Sequence, residues 1–154
     1  MRLALYQPDI AQNVGTILRL AACLDVAVDI IEPCGFPLGD VALKRAGLDY
    51  LQHASFIRHA SWQTFLESKP ARIVLMTTRA DRAYTGFAFD RADTILLGRE
   101  SAGVPAEVSA RADMRLLIPM RSGMRSLNVA VTAGMVLGEA LRQTHAFPVG
   151  NVPQ

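Results

Sequence analysis

Short apolar runs that alternate with helix-forming stretches are the feature that most constrains how this chain can fold. Five runs have the length of buried strands: Leu3–Tyr6, Val26–Ile31, Arg72–Thr77, Thr94–Leu97 and Leu116–Ile118. Helical stretches between such runs are typical of an α/β fold with a mostly parallel sheet flanked by helices. The 154 residues contain no repeat, low-complexity segment or linker, so one domain spanning residues 1–154 is expected.

Three helices are predicted, and the last has an unusual composition. Asn13–Leu24 carries apolar residues at helical spacing, and Asn13 is a suitable N-cap. A short helix is predicted over Val41–Ala46. Ser126–Thr144 is apolar on every side, and a helix of that kind must be buried on every side. We favour a second copy of the chain as the cover for its outer face, the alternative being a core helix of a monomer.

Composition excludes several classes of protein. With 51% hydrophobic and 19% charged residues the chain is not expected to be disordered. No apolar run reaches the roughly 18 residues of a membrane helix, and the N-terminus enters a strand pattern at once, without signal-peptide architecture. Cys23 and Cys34 form no CxxC pair. We therefore expect a cytoplasmic protein with no membrane attachment.

Charge restricts the partners only weakly. The net charge of +2 and the isoelectric point near 8.8 make the chain mildly basic. A protein that coats nucleic acid would carry more positive charge. An enzyme that meets RNA briefly could bind it through a local patch, which a dimer would double.

Three loops, each after a predicted strand, carry the residues that could do chemistry. They contain Asn13-Val14-Gly15-Thr16-Ile17-Leu18-Arg19, then Gly98-x-Glu100-x-x-Gly103-x-Pro105, then Ile118-Pro119-Met120 followed by Ser126-Leu127-Asn128. Ligands of open parallel sheets bind beyond the carboxyl ends of the strands, where such loops would meet. The sequence therefore predicts one site built from all three.

Each loop also has a purely structural interpretation. Arg19 could be an ion-paired or snorkelling surface arginine. The two glycines could form only a turn before a helix that Pro105 begins, and Ser126 could be only an N-cap. Asn128 is harder to interpret in this way, because a buried amide in an apolar helix needs hydrogen-bond partners.

Several chemistries lack their motifs. His53, His59 and His145 have no Cys, Asp or Glu partners at metal-ligand spacing, so no metal is expected and the first two are interpreted as surface or satisfied core histidines. No GxSxG nucleophile elbow is present. A dinucleotide oxidoreductase is disfavoured because the first strand–helix turn has no GxGxxG.

Taken in order, the three loops resemble the signature motifs of the SPOUT class of RNA methyltransferases. Within that class the chain is similar to the small tRNA wobble-position ribose 2′-O-methyltransferases. The segments of this chain that resemble them most closely are Ile31–Phe36, Lys44–Tyr50 and Leu75–Thr78. The resemblance covers essentially the whole chain. It implies an α/β knot fold with a C-terminal trefoil knot and a homodimer. It also implies S-adenosylmethionine as cofactor and tRNA as substrate, modified at the wobble cytidine or uridine of leucine isoacceptors.

The resemblance also assigns residues. The cofactor would contact Met76, Gly98, Ile118, Ser126 and Leu127. The expected substrate contacts are Asn13, Arg125, Lys44 and Arg45, and Glu100 and Asn128 would orient the site. Lys44, Arg45 and Arg125 have solvated surface charge as their alternative interpretation.

Arg19 is the expected catalytic residue. A guanidinium with a pKa above about 12 is a poor general base. We therefore expect Arg19 to stabilise developing charge on the 2′ oxygen or to fix the neighbouring phosphate, with action as the base as the alternative. A non-catalytic RNA-binding or assembly protein with the same fold is the alternative function, and the presence of Arg19, Glu100, Ser126 and Asn128 argues against it.

Overall fold

The computed structural model describes residues 1–37, 53–68 and 70–150, in which six strands form one sheet with helices on both faces. The strands are β1 (Arg2–Tyr6), β2 (Ala27–Ile31), β3 (Phe56–His59), β4 (Ile73–Met76), β5 (Thr94–Leu97) and β6 (Met114–Leu116). The helices are α1 (Ala11–Cys23), α2 (Trp62–Glu67), α3 (Ala106–Arg111) and α4 (Val129–Thr144), with a 3₁₀ turn at Tyr84–Gly86. The predicted α/β class is confirmed.

The sheet is parallel at every strand pair and has the order β3-β2-β1-β5-β4-β6. The first strand of the chain lies near the centre, where Arg2 is paired with Ala27 on one side and with Thr94 on the other. Strands buried on both faces are continuously apolar rather than alternating, which explains why the sequence shows apolar runs.

Each face of the sheet has its own apolar core. Leu3 and Leu5 point to the face covered by α1 and α4, which contribute Ile17, Leu18 and Leu137 among others. Ala4 and Tyr6 point to the opposite face, which α2 and α3 cover with Phe65 and Val108. His59 is buried on this second face, where its Nε2 lies 2.7 Å from Asp29 Oδ1. The interpretation of His59 as a satisfied core histidine is confirmed.

The strand order reverses between β1 and β5. Helix α1 follows β1 and packs on one face, whereas α3 follows the neighbouring β5 and packs on the other. The chain therefore leaves two adjacent strands in opposite directions. This is the switch point at which open α/β sheets bind ligands.

The structure corrects three of the predicted element boundaries. The strand predicted at Leu116–Ile118 lies at Met114–Leu116, and β3 and α2 were not predicted. Helix α1 begins at Ala11, so Asn13 lies inside it, and Ile10 occupies the cap position without a side-chain cap. The cap of α4 is Asn128 rather than Ser126, because the chain remains non-helical through residue 128. The helix predicted at Val41–Ala46 lies outside the described residues.

None of the helices within the described ranges is long and apolar enough to cross a membrane.

Candidate active site

A cavity of about 900 Å³ opens at the carboxyl ends of β4 and β5. Its walls are the loops after β4, β5 and β6 together with the first turns of α1 and α4. This volume lies in the range of small-molecule and cofactor sites, and such sites favour this edge of a parallel sheet.

The loop after β5 is a tight turn that requires its glycines. The backbone N–H of Arg99 donates to the carbonyl of Gly103 at 2.9 Å, and the reverse bond measures 2.8 Å. A Cβ atom on Gly98 would lie 2.6 Å from the carbonyl carbon of Gly103, and Gly103 itself has a φ of +70°. Side chains are therefore excluded from Gly98 by contact and disfavoured at Gly103 by backbone conformation. The backbone of this loop lines the cavity directly.

Asp9 connects the loop after β1 to this turn, and it was not predicted from the sequence. Its Oδ1 accepts from Arg99 Nη2 at 2.7 Å, and its Oδ2 accepts from the hydroxyl of Ser101. The hydrogen bond from the Arg99 guanidinium, followed by that from Ser101, lowers the pKa of Asp9 from 3.8 to about 2. Asp9 also raises the pKa of Arg99. The pair is therefore ionised at neutral pH and fixes the two loops relative to each other.

Glu100 holds the same two loops from the other side. One carboxylate oxygen accepts the backbone N–H of Asp9 at 2.8 Å, and the other accepts the side-chain amide of Asn13 at 3.0 Å. Asn13 is 8% exposed and depends on such partners, because an unpaired buried amide is costly. In this arrangement Glu100 orients the start of α1.

Asn128 joins the third loop to the other two. Its side-chain N–H donates to Asn13 Oδ1 at 3.0 Å. Its own Oδ1 accepts the backbone N–H groups of Ala130 at 2.8 Å and Val131 at 3.3 Å, which caps α4. Asn128 is exposed rather than buried, so the buried amide of the site is Asn13. The carboxylate of Glu100 and the cap of α4 thus fix the amide orientations of both asparagines.

The residues assigned to the cofactor lie around this one cavity. Its lining includes Met76, Gly98, Ile118, Ser126 and Leu127, and also Asn13, Glu100, Asn128 and Arg125. Lys44 and Arg45 lie outside the described residues. The lining further includes Thr77, Thr78, Arg79 and Arg115, to which the sequence analysis gave no role, although Thr77 and Thr78 belong to the motif Leu75–Thr78. Position just after a buried parallel strand is the signal that could have found the first three.

Arg19 is not among the residues that line the cavity. It lies on the exposed side of α1, opposite the buried side formed by Val14, Leu18 and Ala21. Its neighbour Leu20 reaches α4, because a Cβ atom on Gly134 would lie 4.0 Å from the Cδ2 atom of Leu20.

Helix α4 carries an exposed apolar stripe, formed by Val131 and Met135. Val136 and Leu137 are fully buried, whereas Val131 is 51% and Met135 is 40% exposed. These two residues are four positions apart and share one face of the helix. Val136 is therefore a core residue, and cover of the outer face of α4 by a second copy of the chain stays a prediction.

The chemistry available in the cavity is that of binding and positioning. Its described lining contains no His, Cys, Lys or Asp, and its acidic residue, Glu100, is engaged by Asp9 and Asn13. Across the described residues no three His, Cys, Asp or Glu side chains are grouped as metal ligands would be. A site of this composition suits transfer of a group that is already activated on a bound molecule.

Known proteins of similar sequence match nearly the whole chain. Residues 1–138 match the sequence model of the SpoU rRNA Methylase family. A tRNA (cytidine(34)-2'-O)-methyltransferase of Ancylobacter novellus is 55% identical over 150 residues, which are 96% of this chain and 95% of that protein.

Two solved structures share the fold. One, described as giving structural insights into the 2-OH methylation of C/U34 on tRNA, has a TM-score of 0.87 and 43% identity over 92% of this chain and 94% of that chain. The other is an AdoMet-bound rRNA methyltransferase from Sinorhizobium meliloti. Its TM-score is 0.81 and its identity 25%, over 92% of this chain and 55% of that chain.

Proposed function

Since the chain belongs to the SpoU rRNA methylase family, we propose that it methylates the ribose 2′-hydroxyl of the wobble nucleotide of tRNA, cytidine or uridine 34. The observation that carries the proposal is the 55% identity, over 96% of the chain, to a tRNA (cytidine(34)-2'-O)-methyltransferase. The similar structure described for 2-OH methylation of C/U34 supports the same position and the same hydroxyl. The enzyme acts in the cytoplasm, and leucine isoacceptors are its substrates.

S-adenosylmethionine fits the cavity in size and in the kind of group that lines it. Gly98 and Gly103 bring backbone close to the ligand space, and Met76, Ile118 and Leu127 supply apolar walls for an adenine ring. The AdoMet-bound relative from Sinorhizobium meliloti supports the assignment. When bound, the cofactor supplies a methyl group on a positively charged sulfur, which needs no further activation by the protein.

The residues of this chain would then position the acceptor ribose. The network of Asp9, Glu100, Asn13 and Asn128 holds the three loops in one arrangement, so that the 2′-oxygen can be held in line with the methyl group. Asn13 and Arg125 line the cavity as substrate contacts, and Lys44 and Arg45 are assigned to RNA phosphates. Arg19 stabilises negative charge on the oxygen as its proton leaves.

The position of Arg19 makes a homodimer part of this proposal. Arg19 is exposed on α1 and does not line the cavity of its own chain, and α4 exposes the apolar stripe of Val131 and Met135. A second copy packed on that apolar stripe would cover it. Arg19 would then act at the cavity of the partner copy rather than at its own.

The C-terminal trefoil knot is also a proposal, which family membership supports. The end of α4 is hydrogen-bonded to the segment between β4 and β5. The side chain of Gln143 accepts the backbone N–H of Phe89 and donates to the carbonyl of Phe87, each at 3.0 Å. Arg91 donates to the carbonyls of Thr144 and His145 at 2.9 Å. These contacts hold the end of α4 against residues 87–91.

Ribose methylation in tRNA tests the function directly. Total tRNA from cells with and without the gene is mapped by mass spectrometry, and the purified protein is assayed on unmodified transcripts with a chelator present. We expect loss of 2′-O-methylation at nucleotide 34 in the cells without the gene, and its restoration in vitro. Tight RNA binding without methyl transfer would favour the non-catalytic alternative.

Arg19 is tested by substitution and by mixing of variants. Arg19→Ala should lower turnover by about a hundredfold or more and leave cofactor affinity unchanged. Arg19→Lys should also fail, because a flexible point charge does not reproduce a guanidinium fork. Mixed dimers of Arg19→Ala with Gly98→Ala should regain activity if Arg19 acts on the partner copy. If Arg19 has only a structural role, the Arg19→Ala variant should have a lower melting temperature but an unchanged turnover per folded molecule.

A further inference from the structure

Arginines outnumber acidic side chains in the lining of the cavity. The lining contains Arg79, Arg99, Arg115 and Arg125, and its acidic residue among the described positions is Glu100. S-adenosylmethionine carries a sulfonium and an ammonium against one carboxylate, so its own net charge is positive. A cationic cofactor does not account for a surplus of cations around it, whereas a polyanion does.

Two of these four arginines are held by the protein. Arg99 is paired with Asp9 at 2.7 Å, and the Nη1 of Arg115 donates to the carbonyl of Ser109 at 2.7 Å. Arg79 and Arg125 are different: both are exposed, and their guanidinium groups have no hydrogen-bond or ion-pair partner among the described residues. Their charges are available to a ligand.

Fixed turns of two separate loops present these two arginines. After β4, the backbone N–H of Arg79 donates to the hydroxyl of Thr77 at 3.2 Å. After β6, the N–H of Met124 donates to the carbonyl of Arg121 at 3.2 Å, and Gly123 takes a φ of +86°, just before Arg125. The backbone under each side chain is thus ordered before any ligand arrives, which reduces the entropy lost on binding.

We propose that Arg79 and Arg125, together with the assigned Lys44 and Arg45, contact the RNA phosphates, and that these two arginines hold the strand against the cavity. Guanidinium groups bind phosphate oxygens through paired N–H donors, and a methylated anticodon nucleotide lies in a single-stranded loop whose phosphates are accessible. This inference rests on the proposed function. It adds Arg79, from a loop outside the phosphate contacts assigned so far, and it explains the charge of the lining.

The test compares Arg79→Gln and Arg125→Gln with the control Arg111→Gln, which changes an exposed arginine of α3 that does not line the cavity. Affinity for a tRNA transcript is measured across a potassium chloride series with S-adenosylhomocysteine present. Each cavity variant should bind about tenfold more weakly, because a charge-assisted hydrogen bond is lost. Its slope of log affinity against log salt should become shallower by about 0.7 per lost phosphate contact. The control should match the wild type.

Affinity for S-adenosylhomocysteine, measured by calorimetry, is the second readout and should stay at the wild-type value in all variants. Salt slopes equal to the wild type, or a selective loss of S-adenosylhomocysteine affinity, would overturn the inference while wild-type methylation still stood. Failure of the wild type itself to bind or methylate tRNA would instead overturn the proposed function, and the phosphate contacts with it.

Discussion

Asn128 donates a hydrogen bond from its side-chain amide to the side-chain oxygen of Asn13, 3.0 Å away, although 115 positions separate the two residues. The orientation of both amides is fixed, because Asn13 must present its N–H to Glu100 while Asn128 presents its oxygen to the N-terminus of α4. Asn13 thus connects all three loops of the cavity.

Replacement of Asn13 by Asp should make cofactor binding dependent on pH. At pH 8 the new carboxylate would face the carboxylate of Glu100. The loss of a paired buried donor costs about 1–3 kcal/mol, which corresponds to roughly a five- to 150-fold loss of affinity. Repulsion raises the pKa of the pair, so affinity should recover as the pH falls and one proton restores a donor. Calorimetry with S-adenosylhomocysteine between pH 5 and 8 measures this. The control is Gln63→Glu, which changes an exposed residue of α2. If the affinity of the Asn13→Asp variant for S-adenosylhomocysteine did not depend on pH, the prediction would be contradicted.

Replacement of Gly98 by Ala should damage the turn after β5. The added Cβ would approach the backbone of Gly103 to 2.6 Å, and backbone cannot move aside as a flexible side chain can. Overpacking of this kind costs about 1–3 kcal/mol, so we expect a lower melting temperature and at least about a tenfold loss of cofactor affinity. Gly86→Ala is the matched control, because a Cβ there meets nothing within 4 Å. Equal behaviour of the two variants would show that the turn tolerates displacement.

Replacement of Asp9 by Asn should destabilise the protein above about pH 4 but not near pH 2. The pKa of Asp9 is lowered from 3.8 to about 2, so its ionised form stabilises the fold above about pH 4, and this contribution is lost as the pH falls towards 2. The melting temperature of the variant should therefore lie below that of the wild type at pH 5–7, and the difference should shrink between pH 4 and 2. Asp81→Asn, at an exposed carboxylate, should show no such pattern. A difference of the same size at pH 2 would assign the effect to packing.

Replacement of Met135 by Glu should weaken the proposed dimer without unfolding the chain. Met135 is 40% exposed, so the glutamate is solvated in a monomer but desolvated in a dimer that covers the stripe. We expect a shift to monomer at micromolar concentration by light scattering, with unchanged circular dichroism. Val136→Glu is not equivalent, because Val136 is fully buried within the chain and its variant should fail to fold. An unchanged dimer of Met135→Glu would place the interface elsewhere.

The α/β class and the meeting of the three loops followed from local patterns, because strand length and loop position are local properties. The strand order could not be predicted in this way, because β1 pairs with β5 across about ninety residues and local sequence patterns do not indicate which distant strands pair. Asn13 was predicted as a cap and Asn128 as a buried amide, and the structure exchanges these two roles. The reason is again not local, because the side-chain partners of Asn13 lie 87 and 115 positions away.

The position of Arg19 illustrates a signal that was present in the sequence and unused. Six residues along a helix turn about 600°, which leaves Arg19 about 120° from Asn13 around the axis and on another side of α1. Val14, Ile17, Leu18 and Ala21 already marked the buried side. Helical geometry alone therefore separates two residues that one linear motif places together. Asp9 had no comparable local signal, because its side-chain partners lie 90 and 92 positions away.

The central place of β1 has a consequence for how the protein is made. Arg2–Tyr6 leaves the ribosome well before one of its two partner strands, because Thr94–Leu97 lies 92 residues later in register (94 − 2). At about 5–20 residues per second, the edge of β1 that β5 will occupy stays open for roughly 5–18 seconds of synthesis. An apolar strand with an open edge is prone to wrong pairing, so the nascent chain is a candidate client for a ribosome-associated chaperone, and slow translation would lengthen its exposure.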